Sequence, residues 1–282
     1  MARIERGRVR RNNNVYCSVC EKSSPSFLAG PGGRPNARCG HCESLERHRL
    51  LMLLLRAHPD RIGERVLDVA PQAGIKRWLQ TNARYVSTDL LMPGASVRCD
   101  LTKACFAGGI FDSIICYHVL EHVPDDASAI AELARVLRPG GIAFVQVPRK
   151  DGVPTDEDPS LPPEARAIRF GQHDHVRWYG DDFEERLAGN GLTATVVRPA
   201  QALSERALRR LGLERGERIW LCARAGAGPI DAGEWRIRAV PRPAANRGAL
   251  RRVARKLPAP LRRAARASIS RFRRFATART PR

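Results

Sequence analysis

Three aspartates, each at or beside the end of a short apolar run, constrain this chain more than any other feature. Asp68 lies in "VLDVAPQAG" (66–74), Asp89 closes the run in "YVSTDLL", and Asp100 follows in "RCDLT". The surrounding pattern alternates between strand and helix. It predicts strand 66–70, helix about 74–82, strand 85–88, strand near 96–99, strand 112–117, helix about 126–138 and strand 142–147. A helix near 181–190 and strands at 193–198 and 217–223 complete the series. Alternation at these lengths predicts an α/β fold, a Rossmann-like, doubly wound, mostly parallel seven-stranded sheet with helices on both faces. One carboxylate at a strand end is weak, because helix N-caps look the same. Three in succession point to a ligand.

The ligand class follows from the turn. Asp89, 21 residues after Asp68, is placed to accept hydrogen bonds from both hydroxyls of a ribose. Asp100 stands where a carboxylate or backbone group meets an adenine amino group, and Gly74 permits a tight turn with close backbone approach. A dinucleotide pyrophosphate, however, needs bare backbone where Gln72 stands, and Pro71 removes one N–H donor. S-adenosylmethionine carries no phosphate. Its sulfonium and ammonium groups favour a nearby carboxylate such as Asp68, so this cofactor is expected and NAD is not.

Upstream, "YCSVC" and "RCGHC" place Cys17, Cys20, Cys39 and Cys42 in two C-x2-C knuckles separated by 18 residues. Two knuckles complete a tetrahedral four-thiolate shell, which predicts structural zinc in a small module of about 30 residues with little apolar core of its own. "CGHC" alone also matches a dithiol redox motif, but that reading leaves Cys17 and Cys20 unexplained. His41 and His48 lie close by, yet four thiolates already fill the shell. Cys99, Cys105, Cys116 and Cys222 are scattered and read as ordinary reduced thiols.

The domain plan is a basic arm at 1–14, the cysteine module at 15–43, a linking helix within 44–64, the α/β domain at 65–224 with an insertion at 148–180, and a basic, disordered tail at 225–282. The net charge of +20 is concentrated in that tail, which holds 16 Lys and Arg against 2 Asp and Glu. Leu261, Ala264, Ala265, Ser268, Phe272 and Phe275 recur there at helical spacing. The tail therefore suits nucleic acid or an anionic membrane surface. No apolar run approaches a membrane span and no secretory signal is evident, so the expected location is cytoplasmic.

Candidates for chemistry cluster after the fourth strand, in "CYHVLEHV". His118 follows that strand directly and is the first candidate for a general base, with Glu121 and His122 next. The insertion segment "FGQHDHVRWYG" contributes His173, Asp174, His175, Arg177 and Tyr179, expected to form an acceptor-recognition lid. A metal site built from the adjacent His173, Asp174 and His175 is disfavoured, because neighbouring residues rarely chelate one ion.

In their order, "VLDVAPQAG", "YVSTDL", "CDLT", "FDSIICYHVLEHVPDD" and "ELARVLRPGGIAFVQVP" resemble the motifs of class I, type 11-like S-adenosylmethionine-dependent methyltransferases. "NARCGHCESLERHRLL" and "FGQHDHVRWYG" resemble a subgroup carrying an N-terminal zinc ribbon. The resemblance covers residues 15–224. It implies that Ala70, Gly74 and the backbone of 69–73 cradle the methionine part, Asp89 the ribose, and Asp100 with Leu101 the adenine. "CYHVLEHV" would then line the methyl-transfer face. The family's first motif usually reads D-x-G-x-G-x-G, from which Ala70 and Gln72 depart. The acceptor is an unidentified small molecule or cellular group. An RNA methyltransferase using ribbon and tail, or a non-catalytic zinc-ribbon adaptor, are the alternatives.

Overall fold

The computed structural model describes residues 14–237. The chain opens with a two-stranded pair, β1 (Val15–Tyr16) and β2 (Ser23–Ser24), and the first helix, α1 (Glu46–Ala57). There follow β3 (Arg65–Val69), α2 (Ala73–Asn82), β4 (Arg84–Asp89), β5 (Val97–Arg98), β6 (Phe111–Tyr117), α3 (Asp126–Val136) and β7 (Leu137–Gln146). The insertion holds β8 (Asp156–Glu157), α4 (Pro163–Phe170) and β9 (Arg177–Trp178). Then come α5 (Phe183–Gly189), β10 (Leu192–Val197), α6 (Glu205–Leu211) and β11 (Ile219–Arg224).

The central sheet has seven strands in the order β10-β11-β7-β6-β3-β4-β5. β11 runs antiparallel to both its neighbours, and the other pairings are parallel. The sheet agrees with the expected architecture. Its strands read as continuous apolar runs because both faces are covered. On one face Leu67, Val69, Ile114 and Cys116 pack with α3 and α5 through Ala129, Ile130, Leu133, Phe183 and Leu187. On the other, Val66, Ile115 and Phe144 pack with α1, α2 and α6.

The cysteine module shares this second core. Tyr16, Val19 and Phe27 belong to the same cluster as Leu50–Leu55, all of them buried. α1 was expected to link two parts. It buries Arg49 and the whole run Leu50–Leu55, which packs with both the sheet and the module. Each such leucine, fully buried, contributes about 2 kcal/mol. Arg49 ties the module down: it is fully buried, and its guanidinium donates to the carbonyls of Leu211 at 2.7 Å, Ala37 at 2.8 Å, Ser44 at 3.1 Å and Gly212 at 2.9 Å. Its plane also lies 3.8 Å from the Phe27 ring centre.

The tail begins later than the charge break at 225 suggests. Asp231 caps a short 3-10 turn at Ala232–Trp235, and Trp235 and Ile237 are buried in the α1 core. Those two large apolar side chains outweigh the basic composition around them. The arm at 1–13 and the amphipathic pattern at 261–275 lie outside the described residues. Among the described residues, no helix is long and apolar enough to cross a membrane.

Candidate functional site

β3 sits between β4 and β6, so the winding of the chain reverses beside it. The three strands are parallel and end on one side, which opens the crevice where such sheets bind ligands. Two non-glycine residues at these tips hold left-handed backbone, Ala70 after β3 with φ +53° and His118 after β6 with φ +55°. That conformation costs an L-residue about 1 kcal/mol. The family's first glycine would stand at position 70. Its backbone requirement survives here although the residue has changed.

Gln72 replaces the second glycine and acts as the N-cap of α2. Its Oε1 accepts from the amides of Gly74 at 2.8 Å and Ile75 at 3.0 Å, while Nε2 donates to the Cys42 carbonyl at 3.2 Å. The amides that would bind a pyrophosphate are therefore already bonded. Gly74 has a different constraint from the tight turn expected of it: its φ is not left-handed. A Cβ added there would lie 2.3 Å from Val19 Cγ1, so this glycine lets the cysteine module pack against the start of α2.

Asp89 ends β4, half-buried, with Oδ1 accepting from the amides of Leu91 and Met92, both at 2.8 Å. Its other oxygen has no partner among the described residues. Asp100 is exposed and caps the turn Leu101–Lys103, with Oδ1 accepting from Thr102 N at 2.9 Å and Thr102 Oγ1 at 2.8 Å. Leu101 is buried beside it. Asp68 does not open onto the crevice: it is buried, and its Oδ2 accepts from Tyr85 Oη at 2.8 Å. Burial pushes its carboxyl up to about 7, against the pull of that hydrogen bond. Asp89, the left-handed loop at Ala70 and the Asp100–Leu101 turn fit a phosphate-free adenosyl ligand.

Across the crevice, His118 Nδ1 lies 3.0 Å from Glu121 Oε1. The contact is close but off the hydrogen-bond direction, and both Glu121 oxygens are buried without a hydrogen-bond partner. Burial first, then the charge of Arg47, hold His118 well below its usual value, as a neutral ring. Burial raises Glu121 to about 7. Arg47, in the first turn of α1, lies close enough to act on both groups, and its Nε has no hydrogen-bond partner among the described residues. His122 Nδ1 meets Asp174, at 3.3 Å from the carbonyl and 3.2 Å from Oδ2.

The insertion packs against the turn after β6, Val176 N donating to the Glu121 carbonyl at 2.9 Å, and its expected recognition set divides. Arg177 is buried and bonds the carbonyls of Leu120 and Pro124, both at 2.9 Å, together with Glu157 at 2.9 Å. Tyr179, also buried, donates to Asp126 at 2.7 Å. These two residues therefore pin the insertion to the turn after β6, and both are buried away from the crevice surface. His173 and Asp174 are exposed, and His175 is buried against His122 with ring centres 4.6 Å apart.

The four cysteines of the N-terminal module converge, with one ligand atom from each within 4.8 Å of the others. The close sulfur pairs run between knuckles, Cys17–Cys42 at 3.7 Å and Cys20–Cys39 at 3.8 Å, and not within "CGHC". A tetrahedral shell of Zn–S bonds requires sulfurs about 3.8 Å apart, so the set fits zinc. The knuckles repeat each other: Glu21 N bonds Cys17 O at 2.8 Å as Glu43 N bonds Cys39 O at 3.0 Å, with Glu21 and Glu43 both left-handed. His41 bonds Ser24 and His48 caps α1, which leaves neither aimed at the shell.

An α/β sheet of this order, with a crevice at its reversal point, is a Rossmann-like, doubly wound fold. Residues 55–145 of the chain match the family described as "Methyltransferase domain". Over 96 residues it is 33% identical to the ubiquinone biosynthesis O-methyltransferase of Marinobacter nauticus, covering 33% of this chain and 36% of that protein. Over 113 residues it is 30% identical to the protein of the same name from Methylococcus capsulatus, covering 34% of this chain and 48% of that protein. The match thus spans less than half the length of either relative. Among solved structures, the Burkholderia thailandensis 1,6-didemethyltoxoflavin-N1-methyltransferase aligns at 18% identity over 62% of this chain and 77% of its own, with a TM-score of 0.42.

Proposed function

We propose that this protein transfers a methyl group from S-adenosylmethionine to an oxygen of a small-molecule or cellular acceptor, with structural zinc in the cysteine module. The observation that carries the reading is the family match over the strands that build the crevice, with Asp89 keeping one carboxylate oxygen unpartnered at its edge. The relatives' names, O-methyltransferases both, support oxygen as the acceptor atom.

When bound, the cofactor supplies an electrophilic methyl on a positive sulfur. The chain's own residues align the acceptor and exclude water. Asp89 would hold the ribose, Asp100 and Leu101 the adenine, and the backbone around Ala70 the methionine part. His118 faces the crevice as a neutral ring beside Glu121, placed to take the proton that an acceptor hydroxyl loses. Arg177 and Tyr179 hold the insertion over that face.

The test is transfer of radiolabelled methyl into a cell extract, fractionated into small molecules, lipid, protein and RNA. Label in the small-molecule or lipid fraction supports the proposal. Label confined to RNA replaces it with the nucleic-acid reading, and no label with any fraction leaves the adaptor. A role for the basic tail in polyanion contact is tested by deleting 241–282, which spares the folded segment at Trp235.

A further inference from the structure

We propose that Glu121, His122 and His175 form a divalent-metal site, of the two-histidine, one-carboxylate kind, at the seam between the β6 tip and the insertion. One ligand atom from each lies within 4.8 Å of the others. Glu121 and His122 are neighbours on the turn after β6, and His175 comes from the insertion more than fifty positions on, so the set is not a run of three adjacent residues. This inference stands on side-chain geometry and does not depend on methyl transfer.

The hydrogen bonds around the histidines prepare them as ligands. His175 Nδ1 lies 3.2 Å from the Phe170 carbonyl. A carbonyl only accepts, so Nδ1 carries the hydrogen and Nε2 keeps its lone pair. His122 repeats the arrangement, with Nδ1 against the Asp174 carbonyl and carboxylate. Metal-binding histidines are commonly oriented in this way by an acceptor on the second nitrogen.

Glu121 gives the independent observation. Its side chain is fully buried, and neither oxygen has a hydrogen-bond partner. A buried carboxylate left so is destabilising, and a bound cation would satisfy it. Around it the frame is stiff: Val176 N donates to the Glu121 carbonyl at 2.9 Å, and Arg177 bonds the Leu120 carbonyl. Imidazole and carboxylate suit zinc or another first-row ion. Three protein ligands leave a position open, unlike the closed four-thiolate shell, and an acceptor oxygen is the chemistry that would fill it.

The experiment uses the full chain, purified with its cysteine module intact, dialysed against excess zinc and then assayed by atomic absorption. The expected stoichiometry is two zinc ions per chain, falling to one in Glu121→Gln and His175→Ala, while the four module thiols stay protected from a thiol reagent. His122→Asn, at a partly exposed side chain, gives the same loss if either buried variant fails to fold. Cobalt replacement separates the sites, since only the cysteine site gives thiolate charge-transfer bands. A single ion in the wild-type chain under excess zinc overturns the proposal, as do two ions in the folded variants. Calorimetry with S-adenosylmethionine on the same samples reports the crevice separately.

Discussion

The side-chain amide of Gln72 joins the loop after β3 to the cysteine module, donating to the Cys42 carbonyl at 3.2 Å while it caps α2. The module is therefore a wall of the α/β domain. Gln72→Ala removes both the cap and the bridge and is expected to lower stability by about 1 kcal/mol, whereas Gln72→Gly should lose less of the cap term. Denaturant titration checks the difference. Gly74→Ala, driven into Val19, should destabilise more than either.

Ala70→Gly restores the residue that the left-handed backbone favours. It should raise stability by about 1 kcal/mol, and Ala70→Val should lower it, because a β-branched residue tolerates that φ worst. Thermal melts of the two variants should move in opposite directions. Equal shifts would show that the loop does not hold this conformation in solution.

The fold was legible because its signals are local. Apolar runs, aspartates near strand ends and the "RPGG" turn before the last part of β7 need no tertiary knowledge. The roles of Gly74, Arg177 and Tyr179 were not legible, since each depends on a residue distant in sequence: Val19, Leu120 and Asp126. Arg49 was missed for the same reason. Nothing local in "ERHRLL" marks the four carbonyls that surround Arg49, two of which come from Leu211 and Gly212.

Arg49→Met removes the guanidinium from those four carbonyls, of which that of Ser44 keeps the Cys39 amide, and should destabilise by about 3–5 kcal/mol. Arg49→Lys keeps the charge but loses the planar fork, and should fall between wild type and Arg49→Met. Urea unfolding measures both. A loss below about 1 kcal/mol in Arg49→Met would contradict the role assigned to it.

Asp68 gives a pH dependence with a definite sign. Burial raises its folded-state pKa to about 7, so the folded protein holds a proton that the unfolded chain has released. Its contribution is complete below the usual carboxylate range and is lost as pH rises through about 7. Asp68→Asn still accepts from Tyr85 and lacks this titration. Between about pH 5 and pH 8, wild type should lose roughly 2–3 kcal/mol relative to the variant. Parallel stability curves for the two proteins would show that Asp68 is ionised in the fold.

The most direct test of the crevice is calorimetry of the full chain with S-adenosylmethionine, beside Asp89→Ala. The expected result is one site per chain in the wild type, with affinity at least about tenfold weaker in the variant, since a charge-assisted bond to ribose is worth about 1.5–3 kcal/mol. Absence of heat with the folded wild-type protein, or equal affinity in Asp89→Ala, would contradict the assignment.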